Sequence, residues 1–166
     1  MKNVYMVGGT MGVGKTTTCN LQKKKLNKSI FPNGDWCWDA DPFQVTDETK
    51  EMVLENICYL LNNFIRCSAY ENIIFCWVMH EQSIIDAILS RLNICECNAI
   101  TVSLVCNAAA LAQRLQKDIH AGHRPEDSIE RSLSRIPLYN SLNTIKIDVS
   151  SITPGEAAAL IAMPQI

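Results

Sequence analysis

Eight residues, Gly9-Thr10-Met11-Gly12-Val13-Gly14-Lys15-Thr16, limit most strongly what this 166-residue chain can become. They match G-x-x-x-x-G-K-[ST] at every fixed position. Each residue type has a physical reason. Glycines let a loop curl tightly and turn its backbone N–H groups inward, where they form a concave anion site. A helix starting near Lys15 aims its positive dipole end at the same anion. The Lys15 ammonium can reach β- and γ-phosphates, and the Thr16 hydroxyl can ligate Mg²⁺. The surroundings agree. Val4-Tyr5-Met6-Val7 is β-prone and ends at Gly8-Gly9, and a helical stretch runs from Lys15 to about Leu26. A plain glycine turn would not require Lys-Thr at its end. The expected ligand is therefore a nucleoside triphosphate, gripped along Gly9, Thr10, Met11, Gly12, Val13, Gly14, Lys15, Thr16 and Thr17.

The rest of the chain supplies a scaffold for such a loop. Ser29-Ile30-Phe31 is a weaker strand candidate because Pro32 interrupts it. Thr46 can N-cap a helix to about Cys67, with Val53, Ile57, Leu60, Leu61 and Phe64 at helical spacing. Ile73 to Met79 is continuously apolar, as a strand covered on both faces should be. Ile84, Ile85, Ile88, Leu89 and Leu92 mark another helix, Ala99 to Val105 a strand, and Ala108 to about Ile119 a helix. A polar break at His120-Ala121-Gly122-His123-Arg124-Pro125 precedes a helix around Ile129 to Arg135. Thr144 to Val149 closes the strand set. Thr153-Pro154-Gly155-Glu156 then combines an N-cap, a first-turn proline and a capping-box glutamate. Five strands alternating with helices predict an α/β fold: a parallel five-stranded sheet wrapped on both faces, in three layers. Ligands of such sheets sit at the carboxyl ends of the strands, here beside Gly8, Asp35, Met79, Cys106 and Ser150.

Composition narrows the class. Hydrophobic residues make up 48% and charged residues 19%, enough apolar material for a core. With 15 Lys plus Arg against 17 Asp plus Glu, nothing drives the chain generally toward nucleic acid or anionic lipid. Neither nucleic acid nor a membrane is an expected partner, and no apolar run approaches the ~20 residues of a membrane span. Of the eight cysteines, several lie inside apolar runs, as Cys76 does in Ile73-Ile74-Phe75-Cys76-Trp77. Cys95-Glu96-Cys97 lacks a second ligand pair for zinc. Reduced structural thiols and a cytoplasmic location are expected, in one domain spanning residues 1–166, as monomer or homodimer.

The motif serves several chemistries. Guanine recognition would need Asn-Lys-x-Asp after a strand, where the chain reads Cys106-Asn107-Ala108-Ala109. A motor ATPase would end an apolar strand in an acidic pair, and here it ends Val78-Met79-His80-Glu81. An ABC-type signature is absent.

The chain resembles the shikimate/gluconate/adenylylsulfate kinase group of small P-loop phosphotransferases over nearly its whole length. The resemblance rests on the P-loop, Asn33-Gly34-Asp35, Leu111-Ala112-Gln113-Arg114-Leu115, and Ile147-Asp148-Val149-Ser150 before Pro154 and Glu156. More closely, the chain is similar to bacterial proteins labelled as nucleotide kinases or AAA-family ATPases, labels that name no acceptor. The resemblance implies ATP and Mg²⁺ as ligands and a small-molecule acceptor, with a nucleoside or nucleotide slightly favoured over another hydroxylated metabolite. It implies that Lys15, Asp35, Arg124 and Arg131 are catalytic, Asp35 facing the acceptor hydroxyl and sharing Mg²⁺ with Thr16. Arg114 would stack on adenine, the loop at Pro154 would contact it through backbone groups, and residues 119–128 would form a lid. A switch that binds ATP without transferring phosphate is the alternative.

Several residues carry two readings. Asp35 also suits a turn after glycine, and Asp39 and Asp41 suit caps or turns better than catalysis. Trp36, Trp38 and Phe43 form either a stacking wall or core. His80 and Glu81 contact ligand or cap a helix. Arg114 is equally at home on a solvated surface, and Arg135 in an ordinary ion pair. Lys23-Lys24-Lys25 reads as a solvated helix end.

Overall fold

The structure is a computed structural model, and it describes residues 1–163. Strands β1 (Lys2–Gly8), β2 (Ser29–Ile30), β3 (Asn72–Cys76), β4 (Cys97–Val105) and β5 (Ile145–Asp148) form one sheet in the order β2-β3-β1-β4-β5. Every pairing is parallel, with β1 at the centre: Tyr5 is in register with Ile74 on one side and Ile100 on the other. Helices α1 (Lys15–Lys25), α2 (Asp47–Arg66), α3 (Gln82–Ser90), α4 (Ala108–His120), α5 (Ser128–Leu133) and α6 (Pro154–Ala162) connect and cover it. This is the three-layer α/β arrangement that the alternation of elements predicts.

Alternate side chains of the central strands point to opposite faces. Val4, Met6, Ile73 and Phe75 pack with Val53, Ile57 and Leu61 of α2 and Ile85 and Ile88 of α3. Tyr5, Val7, Ile74 and Val102 pack with Cys19 of α1, Leu111 and Leu115 of α4, and Ala157 and Ile161 of α6. Both faces are covered by helices, which is why β1 and β3 read as largely apolar runs.

Both expected caps form. Thr46 Oγ1 accepts from Thr49 N at 3.1 Å, and Thr49 returns a bond to Thr46 N at 2.8 Å. Thr153 and Glu156 make the equivalent pair at the start of α6. All eight cysteines are free. No helix among the described residues is long and apolar enough to cross a membrane.

Three boundaries differ from expectation. The strand expected to reach Met79 ends at Cys76, although Trp77 N still donates to Val7 O and Val78 O accepts from Gly9 N, and the chain turns away at Met79 with φ 40°. The second strand is only Ser29–Ile30, ahead of Pro32. The helix expected through Arg135 stops at Leu133, and a 3₁₀ turn, Ile136–Ser141, follows it. That turn buries Tyr139, whose hydroxyl donates to Val78 O at 2.7 Å and pins the exit of β3. A second 3₁₀ turn, Gly34–Cys37, carries Asp35.

Candidate functional site

The loop between β1 and α1 opens at the carboxyl edge of the sheet. Gly14 is the N-cap of α1 with φ 105° and offers no side-chain cap, so the first-turn amides have no side-chain acceptor. No acidic residue stands in that first turn, and Lys23, Lys24 and Lys25 occupy the last. The first feature favours an anion at the N-terminus, and the second complements the opposite end of the helix dipole. Gly12 has φ 82°, and a Cβ there would run into the buried Leu115 side chain of α4. Packing and backbone geometry therefore both demand glycine at this point. Thr10 is buried and donates to Ser132 O at 3.0 Å, tying the loop to α5.

Lys15 folds back over the loop, its Nζ donating to Gly9 O at 2.8 Å and Thr10 O at 3.0 Å. Desolvation lowers its pKa, and Arg124 adds to that effect, while Cys76, Asp35 and Cys19 oppose it. Such a cation gains from a neighbouring anion. Cys76 at the end of β3 and Cys19 of α1 are both buried close enough to Lys15 to interact with its charge. The neighbouring Cys19 chiefly lowers the Cys76 pKa, whereas burial raises that of Cys19.

The arginines divide. Arg114 Nη1 donates to Val13 O at 3.1 Å and Nη2 donates to Val149 O, so this side chain laces α4 to the P-loop and to the end of β5. Arg124 Nε pairs with Asp118 Oδ2 at 2.9 Å. Arg131 pairs with Asp127 at 3.1 Å on the exposed side of α5. Arg135 has no carboxylate within ion-pair distance among the described residues and lies near enough to His80 to lower its pKa. Burial is the larger cause of that shift, and Glu81, 3.4 Å from His80 Nε2, opposes it. His80 Nδ1 is buried without a hydrogen-bond partner.

These elements surround a cavity of about 480 Å³. Met11, Gly12, Val13, Gly14, Lys15, Thr16 and Thr17 line it, with Asp35, Arg114, Arg124 and Pro154. Gly9 and Thr10 sit just behind, accepting from Lys15 through their carbonyls. Arg131 is not among the lining residues, nor are His80, Glu81, Trp36 or Trp38. Sequence reasoning missed Asp118, Thr18, Val78 and Val149, which also line the cavity beside Ile152 of the loop before Pro154. Only Asp118 left a signal: it follows Arg114 by four positions and so shares its helix face. Thr18 is a buried residue of α1, and Val78 and Val149 are apolar residues placed by chain exits from the sheet.

Residues 6–133 match the AAA domain family model. The chain belongs to the AAA domain family. No curated protein sequence matches it significantly. Among solved structures, a tunicamycin resistance protein of Deinococcus radiodurans superposes with TM-score 0.75 at 16% identity, over 98% of this chain and 94% of that one. A gluconokinase from Sinorhizobium meliloti 1021 gives 0.70 at 18%, over 96% and 89%. A Mycobacterium tuberculosis APS kinase in complex with AMPPNP and APS gives 0.66 at 12%, over 96% and 95%. The fold of this AAA-domain chain is thus that of the small P-loop kinases. At such identities likeness carries the fold and leaves the reaction to be argued from the site.

Proposed function

We propose that this AAA-domain protein is an ATP-dependent phosphotransferase, moving the γ-phosphate of Mg-ATP to a small hydroxyl- or phosphate-bearing acceptor. One observation carries the reading: a single cavity gathers the loop amides, Lys15, Thr16, Asp35, Arg114 and Arg124. The donor set fits the ligands. Uncapped amides and buried Lys15 suit a triphosphate. The Thr16 hydroxyl and Asp35 carboxylate are the hard oxygen donors that Mg²⁺ prefers, which the Cys76 thiol is not.

The roles follow. Lys15 leaves its two loop carbonyls for the β- and γ-phosphates. Thr16 and Asp35 would hold Mg²⁺ through their oxygens. When bound, Mg²⁺ neutralises charge on the β- and γ-oxygens. Arg114 keeps the loop and the β5 exit at fixed separation and offers its guanidinium plane to adenine, with the Pro154 segment beside it. Residues 119–128 act as a lid, Arg124 exchanging Asp118 for the γ-phosphate and closure excluding water. Arg131, one element further on, reaches the site only if Asp127 releases it. The acceptor oxygen bonds to the γ-phosphorus as the bond to the β,γ-bridging oxygen breaks. ADP departs, and the hydroxyl proton passes to Asp35. Positioning and charge neutralisation contribute most of the rate in such loose transition states. A nucleoside or nucleotide is slightly favoured as acceptor, because aromatic residues follow Asp35.

The test is acceptor-dependent ADP release across nucleosides, nucleotides, sugars, polyol acids and aminoglycoside-like alcohols, with Asp35→Ala alongside. A kinase loses turnover in that variant and keeps its ATP affinity. Absence of acceptor-dependent release with every compound overturns the reading. A switch without phosphoryl transfer is the second reading, favoured by one observation: β3 ends in Cys76, and no carboxylate follows before Glu81.

A further inference from the structure

The segment after Asp35 combines features that a structural loop would not need. Trp36 is 66% exposed, Phe43 57% and Val45 58%. The Trp38 and Phe43 rings lie against each other with centroids 4.8 Å apart. Trp38 rests partly buried on the core below α2, and Trp36 contacts Phe31, so Trp36 and Phe43 are the rings this loop shows to solvent; exposed apolar surface of this kind marks binding sites.

The loop is fixed at both ends. Asn33 Oδ1 accepts from Asp35 N at 3.0 Å, and Asn33 bridges to Cys76 of β3. Gly34 sits so close to the Trp77 ring that a Cβ would lie 2.5 Å from it. At the far end, Thr49 Oγ1 donates to Gln44 O at 3.0 Å and joins the cap of α2. A surface held this way is organised before any ligand arrives, which lowers the entropy cost of binding.

Its charge has one sign. From Ser29 to Thr49 the chain holds no Lys, Arg or His, while Asp35, Asp39 and Asp41 punctuate the aromatic stretch. None of these three has a basic side chain within ion-pair distance among the described residues. Asp35 shares the phosphate cavity with Lys15, Arg114 and Arg124, whereas Asp39 and Asp41 lie outside its lining and keep the outer part of the loop acidic.

We infer that the Asp35–Val45 loop is the acceptor wall, and that the acceptor is a hydroxyl compound carrying a flat or apolar ring, neutral or cationic where it meets this loop. The inference rests on the kinase reading and narrows it. A nucleoside-like or aromatic alcohol fits, and a nucleotide does not. The aromatic faces take the ring, and the acids, Asp35 among them, receive the hydroxyl end and repel a phosphate or carboxylate placed there.

The experiment is calorimetry on the full chain saturated with Mg-AMPPNP, using uridine, uridine 5′-monophosphate and a phenyl-bearing diol as probes. The expected result is that both neutral ring compounds bind, with uridine tighter than its monophosphate by about tenfold. Trp38→Ala and Phe43→Ala should each weaken the ring compounds about tenfold. Mg-AMPPNP affinity should not move in either variant, which also reports correct folding. Exposed Phe43 supplies the variant least able to disturb the fold. Asp39→Asn with Asp41→Asn should bring the two uridine compounds closer together.

The inference falls if the monophosphate binds as tightly as uridine, if no ring compound binds, or if both alanine variants bind like the wild type. It also falls if sedimentation shows the patch buried between two copies and Phe43→Asp yields monomers with unchanged probe binding. Transfer of phosphate to an anionic, ring-free alcohol would sink it and leave the kinase standing. Failure of every acceptor to release ADP sinks the kinase reading instead.

Discussion

Replacing Gly12 by alanine separates the two demands made on the phosphate loop. At φ 82° an L-residue is strained, at a cost of about 1–2 kcal/mol. The new Cβ would also collide with Leu115 Cδ2 and Cγ. Leu115 is fully buried in the core formed by α1, α4 and α6, so it cannot swing away into solvent. Overpacking of that kind adds about 1–3 kcal/mol. The expected loss is therefore about 2–5 kcal/mol, which for a chain of this size lowers Tm by about 5–15 °C. Gly14→Ala is the internal control. Its φ is 105°, and nothing lies within 4 Å of the added Cβ, so only the backbone cost applies. Calorimetric scans should show Gly14→Ala falling by about 2–6 °C, clearly less than Gly12→Ala. In a Leu115→Ala background, Gly12→Ala should cost only its backbone share, a coupling of about 1–3 kcal/mol. Equal Tm shifts for the two glycine variants, or strict additivity with Leu115→Ala, would refute the packing argument.

Further outcomes follow from the same geometry. Lys15→Ala should weaken ATP binding about 10- to 100-fold by calorimetry, the worth of a charge-assisted contact; unchanged binding would remove the triphosphate from the loop. Arg114→Met keeps much of the side-chain bulk but deletes the bonds to Val13 O and Val149 O. It should cost about 2–3 kcal/mol in urea unfolding. His80 sits below its ordinary value of 6.5 through burial and the nearby Arg135, so the folded chain binds its proton more weakly than the unfolded chain does. Its contribution to stability is complete above pH 6.5 and is lost as pH falls through the folded value. Denaturation at stepped pH should show this slope, and His80→Gln should flatten it.

Local rules carried the sequence a long way. The P-loop, the Thr46 and Thr153 caps and the doubly covered strands depend on neighbours in the chain, so residue type and spacing determine them, and with them the α/β fold. Where side chains meet across the sheet was a tertiary decision. Arg114 reads as an adenine contact in the chain, and only the fold brings Val13 and Val149 within its reach. Met79 was apolar enough to extend β3, yet the regular strand ends at Cys76 and the chain turns away at Met79, with Val78 O accepting from the Tyr139 hydroxyl sixty-one residues away. The arginine partners split the same way: the Asp127–Arg131 pair spans one helical turn, although the sequence reading did not name it, whereas among the described residues no element brings Arg135 a carboxylate within ion-pair distance. Spacing encodes contacts within a turn or two; contacts between distant segments depend on how closely the layers pack, a quantity that no local pattern contains.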